Sequence, residues 1–304
     1  MRYLPNGSKL IGILCFVFLL SFAACEKEVH INLGSAASAV VIQGQIETGQ
    51  PPFVVVTSTI SFFSNIDLGT LEKSFIHGVN IKVSDGTKSI ILREYALDTG
   101  NNNKYYVYSL DTANLGANFM LGQVNKVYSL TVTYNGQTYN AVTTIPNPKG
   151  VDTMWFAPPE NTDSKTPANA MQLFVNYTDP DTPGNYVRYF TQRNGGQFFP
   201  VGIFSDEVVN GKRVNNLGLF AGYDEGENVN GDSLRYFYPG DSVTLKWCEI
   251  DKAVYSFWNS YQFAQSDVGN PFATPINLVS NISNGALGVW AGYGSSITSK
   301  TVPR

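Results

Sequence analysis

The sequence has few charged residues, few histidines and few cysteines. Only 14% of its 304 residues are Asp, Glu, Lys or Arg, the net charge is −4, and it has two His and three Cys. A weakly acidic chain of this kind is not expected to bind nucleic acid, because the phosphate backbone is held by clustered positive charge.

Several catalytic motifs are also missing. The chain contains no H-E-x-x-H, G-x-S-x-G, P-loop, Gly-rich dinucleotide fingerprint or Cys-x-x-Cys, which are the patterns that place metal ligands, nucleophiles or phosphate-binding loops. We therefore expect no catalytic residues, no metal and no cofactor, and we predict that the protein is not an enzyme.

The three cysteines divide by position. Cys15 lies within an apolar run near the N-terminus, Cys25 follows that run, and Cys248 lies in the strand-like "DSVTLKWCEI". A chain that has lost Cys15 and carries lipid on Cys25 has no second thiol for an intramolecular disulfide. Cys248 is expected to be a small buried apolar residue, since a cysteine nucleophile needs a nearby histidine.

The first 25 residues have the pattern of a lipoprotein signal. Arg2 and Lys9 form a basic start, and the apolar run that ends at Ala24 is too short to cross a bilayer comfortably. The cysteine after small residues is typical of bacterial lipoproteins, whose thiol receives a diacylglyceryl group. We predict a signal peptide over residues 1–24 and lipidation of Cys25; the alternative is an ordinary secretory signal with a chance cysteine.

The polar and small residues that follow, 25–38, are expected to form a lipidated flexible tether. About 13 flexible residues span roughly 20 Å as a root-mean-square distance. This tether would let the folded part reach partners in the same membrane leaflet.

The composition predicts a mainly β protein. The chain has many β-branched and aromatic residues and 28 Gly, and it has no long segments of Ala, Leu, Glu and Lys. In residues 39–147, short β-rich runs are joined by turn signals that include Asp85-Gly86 and Asn135-Gly136, both suited to hairpins. This pattern predicts an immunoglobulin-like β-sandwich. The prolines and glycine of Ile145–Gly150 mark a domain boundary.

Residues 148–304 are predicted to form a second β-rich domain with one amphipathic helix over Asp251–Asp267. Asp251 has a side chain that can cap this helix. Its apolar face is expected to belong to the core; the residues that recur at helical spacing are Val254, Phe257, Trp258 and Tyr261.

Two acidic loops raise the question of a cation or of acid catalysis. Asp179 and Asp181 lie in one loop, and Asp224 and Glu225 lie in another with Glu227 and Asp232. Closely spaced carboxylates bind Ca²⁺, and paired carboxylates hydrolyse glycosides, but neither loop has EF-hand spacing. We interpret both loops as solvated turns.

The tail "GVWAGYGSS", Gly288–Ser296, is the segment most suggestive of ligand binding. Trp290 and Tyr293 among glycines could stack a sugar or hold a peptide. The alternative is a closing strand whose aromatic residues fill the core and whose glycines allow close packing. We retain Trp290 and Tyr293 as possible ligand-binding residues.

An ordered set of segments resembles a known family. They are "CEKEV", "VVIQGQIETGQPPFVVVTSTISFFS", "VSDGTK", "FSDEVVNGK", "YPGDSVTLKW", the aromatic helix and "NPFATPINLVSNISNGALGVWAGYGSS". Together they resemble domain-of-unknown-function family 4249 (DUF4249), the outer-membrane lipoproteins of Bacteroidota, over nearly the whole mature chain. That family has no assigned reaction, and its genes often lie beside those of TonB-dependent receptors.

The resemblance implies an outer-membrane lipoprotein that is anchored through Cys25. Glu26 and Glu28 resemble the acidic export signal of surface lipoproteins, which implies exposure to the cell exterior. The expected function is non-catalytic binding in partnership with a TonB-dependent β-barrel receptor in nutrient uptake. The alternatives are a surface glycan hydrolase that uses paired carboxylates and a structural envelope protein.

Overall fold

Strands predominate in the computed structural model, which describes residues 38–60, 67–98, 103–160, 162–222, 235–266 and 277–304. The prediction of a mainly β protein is confirmed. The predicted signal peptide, 1–24, lies outside the described residues, as does the predicted tether, 25–38, with Cys25, apart from Ser38.

The first half of the described chain contains seven strands and two short helical segments. They are β1 (Val40–Glu47), β2 (Phe53–Ser58), α1 (Leu68–Ser74), β3 (Asn80–Ser84), β4 (Ser89–Asp98), β5 (Lys104–Leu110), α2 (Leu115–Asn118), β6 (Val127–Tyr134) and β7 (Gln137–Thr144).

The second half contains seven further described strands and one long helix. They are β8 (Thr153–Ala157), β9 (Gln172–Thr178), β10 (Tyr186–Arg193), β11 (Phe198–Ser205), β12 (Arg213–Leu219), β13 (Ser242–Ile250), α3 (Lys252–Ser266) and β14 (Leu287–Thr301).

Both predicted hairpins form, but their turns differ. Asn135 and Gly136 make a two-residue turn between β6 and β7 with φ of 47° and 75°, as the positive φ of a type I′ turn requires. The Asp85-Gly86 turn is longer, because Asp85 Oδ1 accepts hydrogen bonds from the backbone N–H groups of Thr87 and Lys88. The carboxylate therefore shapes a loop that ends where Ser84 pairs with Ser89.

The sheet order places the last strand, β14, inside the larger sheet rather than at an edge. Eleven strands follow the order β11-β10-β13-β14-β1-β2-β5-β4-β3-β6-β7, and β12-β9-β8 form a second sheet. The first part of β14 pairs in parallel with β1, and its second part pairs antiparallel with β13. Strand β14 therefore connects the first half of the chain to the second.

The hydrophobic core has separate clusters on the two sides of the predicted boundary. One cluster uses residues of the first half together with Ile282, Ala286 and Trp290, and another uses residues from Met154 to Val302. The boundary segment, 145–150, is coil between β7 and β8. Residues 38–304 nevertheless form one compact unit, so a split into domains 39–147 and 148–304 stays a prediction, as does the immunoglobulin-like sandwich.

Candidate ligand-binding cleft

Helix α3 is held at its start by the residue that the sequence identified as a cap. Asp251 Oδ1 accepts a hydrogen bond from the Val254 N–H at 2.9 Å. Its Oδ2 accepts from Thr143 Oγ1 at 2.7 Å and from the Thr144 N–H at 3.1 Å. One carboxylate therefore caps the helix and attaches it to the end of β7. The predicted end, Asp267, lies outside the described residues.

The aromatic stripe on α3 is only partly core. Val254 and Phe257 are buried, as predicted, whereas Tyr261 is 38% exposed. Trp258 packs at the margin of a core cluster, and its indole N–H donates to the Tyr293 hydroxyl at 3.2 Å. The outer half of the stripe therefore faces a cleft rather than the interior.

A buried arginine forms the base of this cleft. Arg188 on β10 is 8% exposed, and its Nη1 donates to the Tyr293 hydroxyl at 2.7 Å. Its guanidinium carbon lies 3.4 Å from the ring centroid of Trp258 and 4.9 Å from that of Phe190. These distances correspond to cation–π stacking on two rings.

The cleft lies between α3 and β11 and has a volume of about 370 Å³, within the usual range of small-molecule sites. Trp258 and the amides of Gln262 and Gln265 line it from α3, Arg188 lines it from β10, and Val201 and Ile203 line it from β11. In the described part of the chain, no carboxylate, thiol, imidazole or ammonium group lines it.

Trp290 and Tyr293, the residues that the sequence offered for ligand binding, are buried. Trp290 is 0% and Tyr293 is 2% exposed, and the Trp290 indole N–H donates to the Tyr128 carbonyl at 3.0 Å. Their burial favours the packing alternative. Tyr293 still contributes to the cleft indirectly, because its hydroxyl supports both Arg188 and Trp258.

The glycines of the tail allow the close packing that this alternative requires. A Cβ atom at Gly292 would lie 2.2 Å from the Thr144 carbonyl oxygen, and one at Gly294 would lie 2.1 Å from that of Pro146. A larger residue at either position would displace backbone. Strand β14 can therefore cross the end of β7 only with glycine there.

Cys248 is fully buried and free. Burial raises the pKa of its thiol well above the ordinary value, so it remains protonated and does not act as a nucleophile at neutral pH. Its predicted role as a small buried residue agrees with this environment.

The two acidic residues of the first predicted loop lie in different environments, since Asp179 is buried and Asp181 is exposed. Asp179 Oδ2 accepts from the Gly211 N–H at 3.2 Å, and burial raises the pKa of this carboxyl. Asp181 lies in the adjacent bend. Within the described ranges, no three His, Cys, Asp or Glu side chains cluster as a metal site would need. Asp224 and Glu225 lie outside those ranges, as does the rest of the second acidic loop.

A further acid, Glu249, was not identified from the sequence. It is 4% exposed, the Tyr177 hydroxyl donates to its Oε1 at 3.0 Å, and burial raises its pKa to about 7. Glu249 and Asp179 both line a second, open cleft. The available signal was the run Cys248-Glu249-Ile250, where strand alternation places an acid in apolar surroundings.

Arg188 was also missed, although a similar signal marks it. The run "NYVRYFTQRN" places an arginine between Val187 and Tyr189 in a strand that is buried on both faces. A cation at such a position requires partners that the sequence does not reveal.

The family model described as "Domain of unknown function (DUF4249)" matches residues 26–299. No curated protein matches the chain. In the described ranges, no helix is both long enough and apolar enough to cross a membrane.

Proposed function

We propose that this chain, which belongs to the DUF4249 family, is a non-catalytic ligand-binding lipoprotein of the outer membrane. It faces the cell exterior and serves a TonB-dependent receptor in nutrient uptake. The observation that carries the binding role is the composition of the Arg188 cleft.

That cleft has groups that hold a ligand but none that transform one. Its polar lining consists of a guanidinium, two side-chain amides and a phenol, and its β11 side is apolar. Acyl or glycosyl transfer needs a nucleophile or an acid–base pair beside the substrate, and the described lining has neither. A preformed concave site with few polar groups is typical of ligand recognition.

The membrane location rests on the N-terminal sequence. Lipidation at Cys25 would place the binding unit beside an outer-membrane receptor. Tethering two proteins in one leaflet raises their effective concentration, so a weak interface would stay occupied. The acidic residues after Cys25 support the outer face.

Metabolic labelling with a fatty-acid analogue tests the anchor. Wild-type chain should be labelled and Cys25→Ser should not. Cys248→Ala is the matched control, because its buried thiol is not available to an acyl donor, and it should be labelled like wild type. Equal labelling of Cys25→Ser and wild type would contradict the lipoprotein assignment.

Affinity capture tests the partner. A tag placed after Arg304, which is exposed, allows the chain to be isolated from outer membranes in mild detergent, with and without cross-linking. We expect a TonB-dependent receptor to be recovered with it. Recovery of this chain alone would reject the receptor partnership and leave a free-standing binding protein.

One observation favours a second candidate, a surface glycan hydrolase. Glu249 has its pKa raised to about 7 by burial and shares an open cleft with Asp179, and a glycosidase acid needs such a raised pKa. Assay of reducing-end release from starch, xylan and mucin glycans decides it. Hydrolysis lost in Glu249→Gln but kept in Arg188→Met would replace binding with catalysis.

A further inference from the structure

We propose that the Arg188 cleft is a carboxylate-binding site and that its ligand is a monoanionic organic acid with an apolar body. The inference rests on the proposed binding function and names the class of ligand. It follows from the charge of Arg188, from the direction of its free donors and from the lining of the cleft.

The charge of Arg188 is not neutralised within the described part of the chain, where no carboxylate forms an ion pair with it. Glu47 on β1, which pairs with Tyr293, is occupied by other partners. Its Oε2 lies 2.9 Å from Lys246 Nζ, and its Oε1 accepts a hydrogen bond from Ser295 Oγ at 2.7 Å. Glu249 follows Cys248, which pairs with Arg188, so its side chain points to the opposite face of the sheet.

Two titratable side chains next to Arg188 in the described chain, Tyr293 and Cys248, are neutral. Burial raises the pKa of the Tyr293 hydroxyl, so the group that accepts from Arg188 is a phenol rather than a phenolate. The thiol of Cys248 is likewise protonated, because burial raises its pKa. Arg188 is therefore a buried cation that two aromatic rings and one phenol stabilise without cancelling its charge.

The remaining donors of Arg188 are open to the cleft. The Tyr293 hydroxyl accepts from Nη1 of Arg188. In the described residues, no nitrogen of the Arg188 guanidinium is both fully buried and without a hydrogen-bond partner. Since Arg188 lines the cleft, its unused N–H groups are accessible from it. A guanidinium edge presents parallel N–H groups that match the two oxygens of a carboxylate.

The rest of the lining favours a single negative charge. Arg188 is the only cation among the described lining residues, and the cleft lies along the C-terminal half of α3, through Tyr261, Gln262 and Gln265. A dianion such as a phosphate monoester would bring a second negative charge that no described lining residue compensates. Ile203, which is paired with Arg188 across β10 and β11, also lines the cleft and offers an apolar surface to the ligand body.

The probe is hexanoate, with hexanamide as its uncharged isostere and hexyl phosphate as the dianion. Binding is followed by NMR on the full chain, labelled with ¹⁵N and kept in mild detergent at low salt. The chain has four Trp, and the indole N–H signal that disappears in Trp258→Phe is the one next to Arg188. We expect hexanoate to shift that signal and to saturate it. Hexanamide and hexyl phosphate should bind at least about tenfold more weakly, as expected for loss of a charge-assisted hydrogen bond or a second uncompensated charge.

Variants then assign the effect to the cleft. Arg188→Met should abolish hexanoate binding, and Arg93→Met, at an exposed arginine of β4, should leave it unchanged. Because Arg188→Met removes a buried residue, Gln262→Glu provides a test that leaves the core intact. Its new carboxylate would compete for Arg188 and weaken hexanoate at least about tenfold, whereas Gln197→Glu on an exposed turn should have no effect.

Three results would overturn the inference. Equal affinity for hexanoate and hexanamide would make the cleft an apolar site, and absence of hexanoate binding would remove the carboxylate site. Unchanged hexanoate binding in a folded Arg188→Met variant or in Gln262→Glu would place the site elsewhere. None of these results changes the outcome of receptor capture through the tag at Arg304. A wrong ligand class can therefore be distinguished from a wrong proposed function.

Discussion

Glu249 should make the protein less stable as the pH rises from about 4.5 to about 7. Its carboxyl has a pKa of about 7 in the folded protein, because burial opposes ionisation, against an ordinary value of 4.5. Between these values the unfolded chain releases a proton that the folded chain retains, so the free energy of unfolding falls with pH. A difference of one pKa unit between the folded and unfolded states corresponds to about 1.4 kcal/mol. The free energy of unfolding should therefore fall by about 3 kcal/mol in total.

The variant Glu249→Gln removes this titration and keeps an oxygen that can accept from Tyr177. We expect it to match wild type near pH 4 and to exceed wild type by about 3 kcal/mol at pH 8. Urea unfolding from pH 4 to pH 8 measures the difference, and Glu207→Gln, at an exposed residue, is the control. A pH-independent difference between wild type and Glu249→Gln would refute the assigned pKa.

Three further predictions concern contacts that join the two halves of the chain, each measured as the free energy of unfolding in urea. Lys246→Met should lower it by about 3–5 kcal/mol, because Glu47 is left buried without its cation. Gly292→Ala should lower it by about 3 kcal/mol, because the added Cβ would lie 2.2 Å from a backbone oxygen of β7. Asp251→Ala should lower it by about 2–3 kcal/mol, because it removes a helix cap and two hydrogen bonds to β7.

Each of these predictions has its own control. Adding Glu47→Gln to Lys246→Met should recover part of the loss, and no recovery would mean that the pair is not coupled. Gly116→Ala, where nothing lies within 4 Å, should change stability by less than about 1 kcal/mol; a loss as large as that of Gly292→Ala would count against steric clash. Asp251→Asn keeps a capping oxygen, and a loss equal to that of alanine would rule out capping as the cause.

Some local features of this protein could be predicted from its sequence, although the short helices α1 and α2 were not. Asn135-Gly136 forms its tight turn, because only residues that tolerate positive φ suit it, and Asp251 caps α3, because its carboxylate reaches N–H groups within three residues. These interactions join neighbours in the chain, so a short window contains both partners. The abundance of β-branched and aromatic residues likewise indicated the mainly β class.

The arrangement of the halves depended on long-range contacts. Pairing of β14 with β1 joins the last described strand to the first, and its pairing with β13 crosses the intervening helix α3, so no local pattern indicates which strands meet. The same limit applies to the stripe on α3, where spacing identified an apolar face but not the cleft beside Trp258 and Tyr261.

The chemical state of single residues was decided by the tertiary structure alone. The apolar residues that flank Arg188 in β10 and Glu249 in β13 indicate strands buried on both faces, but they do not indicate which groups lie next to these two side chains. In the folded protein the Arg188 guanidinium meets two rings and a phenol beside a cleft. Glu249 meets a tyrosine in an apolar setting, and burial raises its pKa to about 7. The sequence determines which side chains can ionise; solvent exclusion and the partners brought in from distant strands determine whether they do.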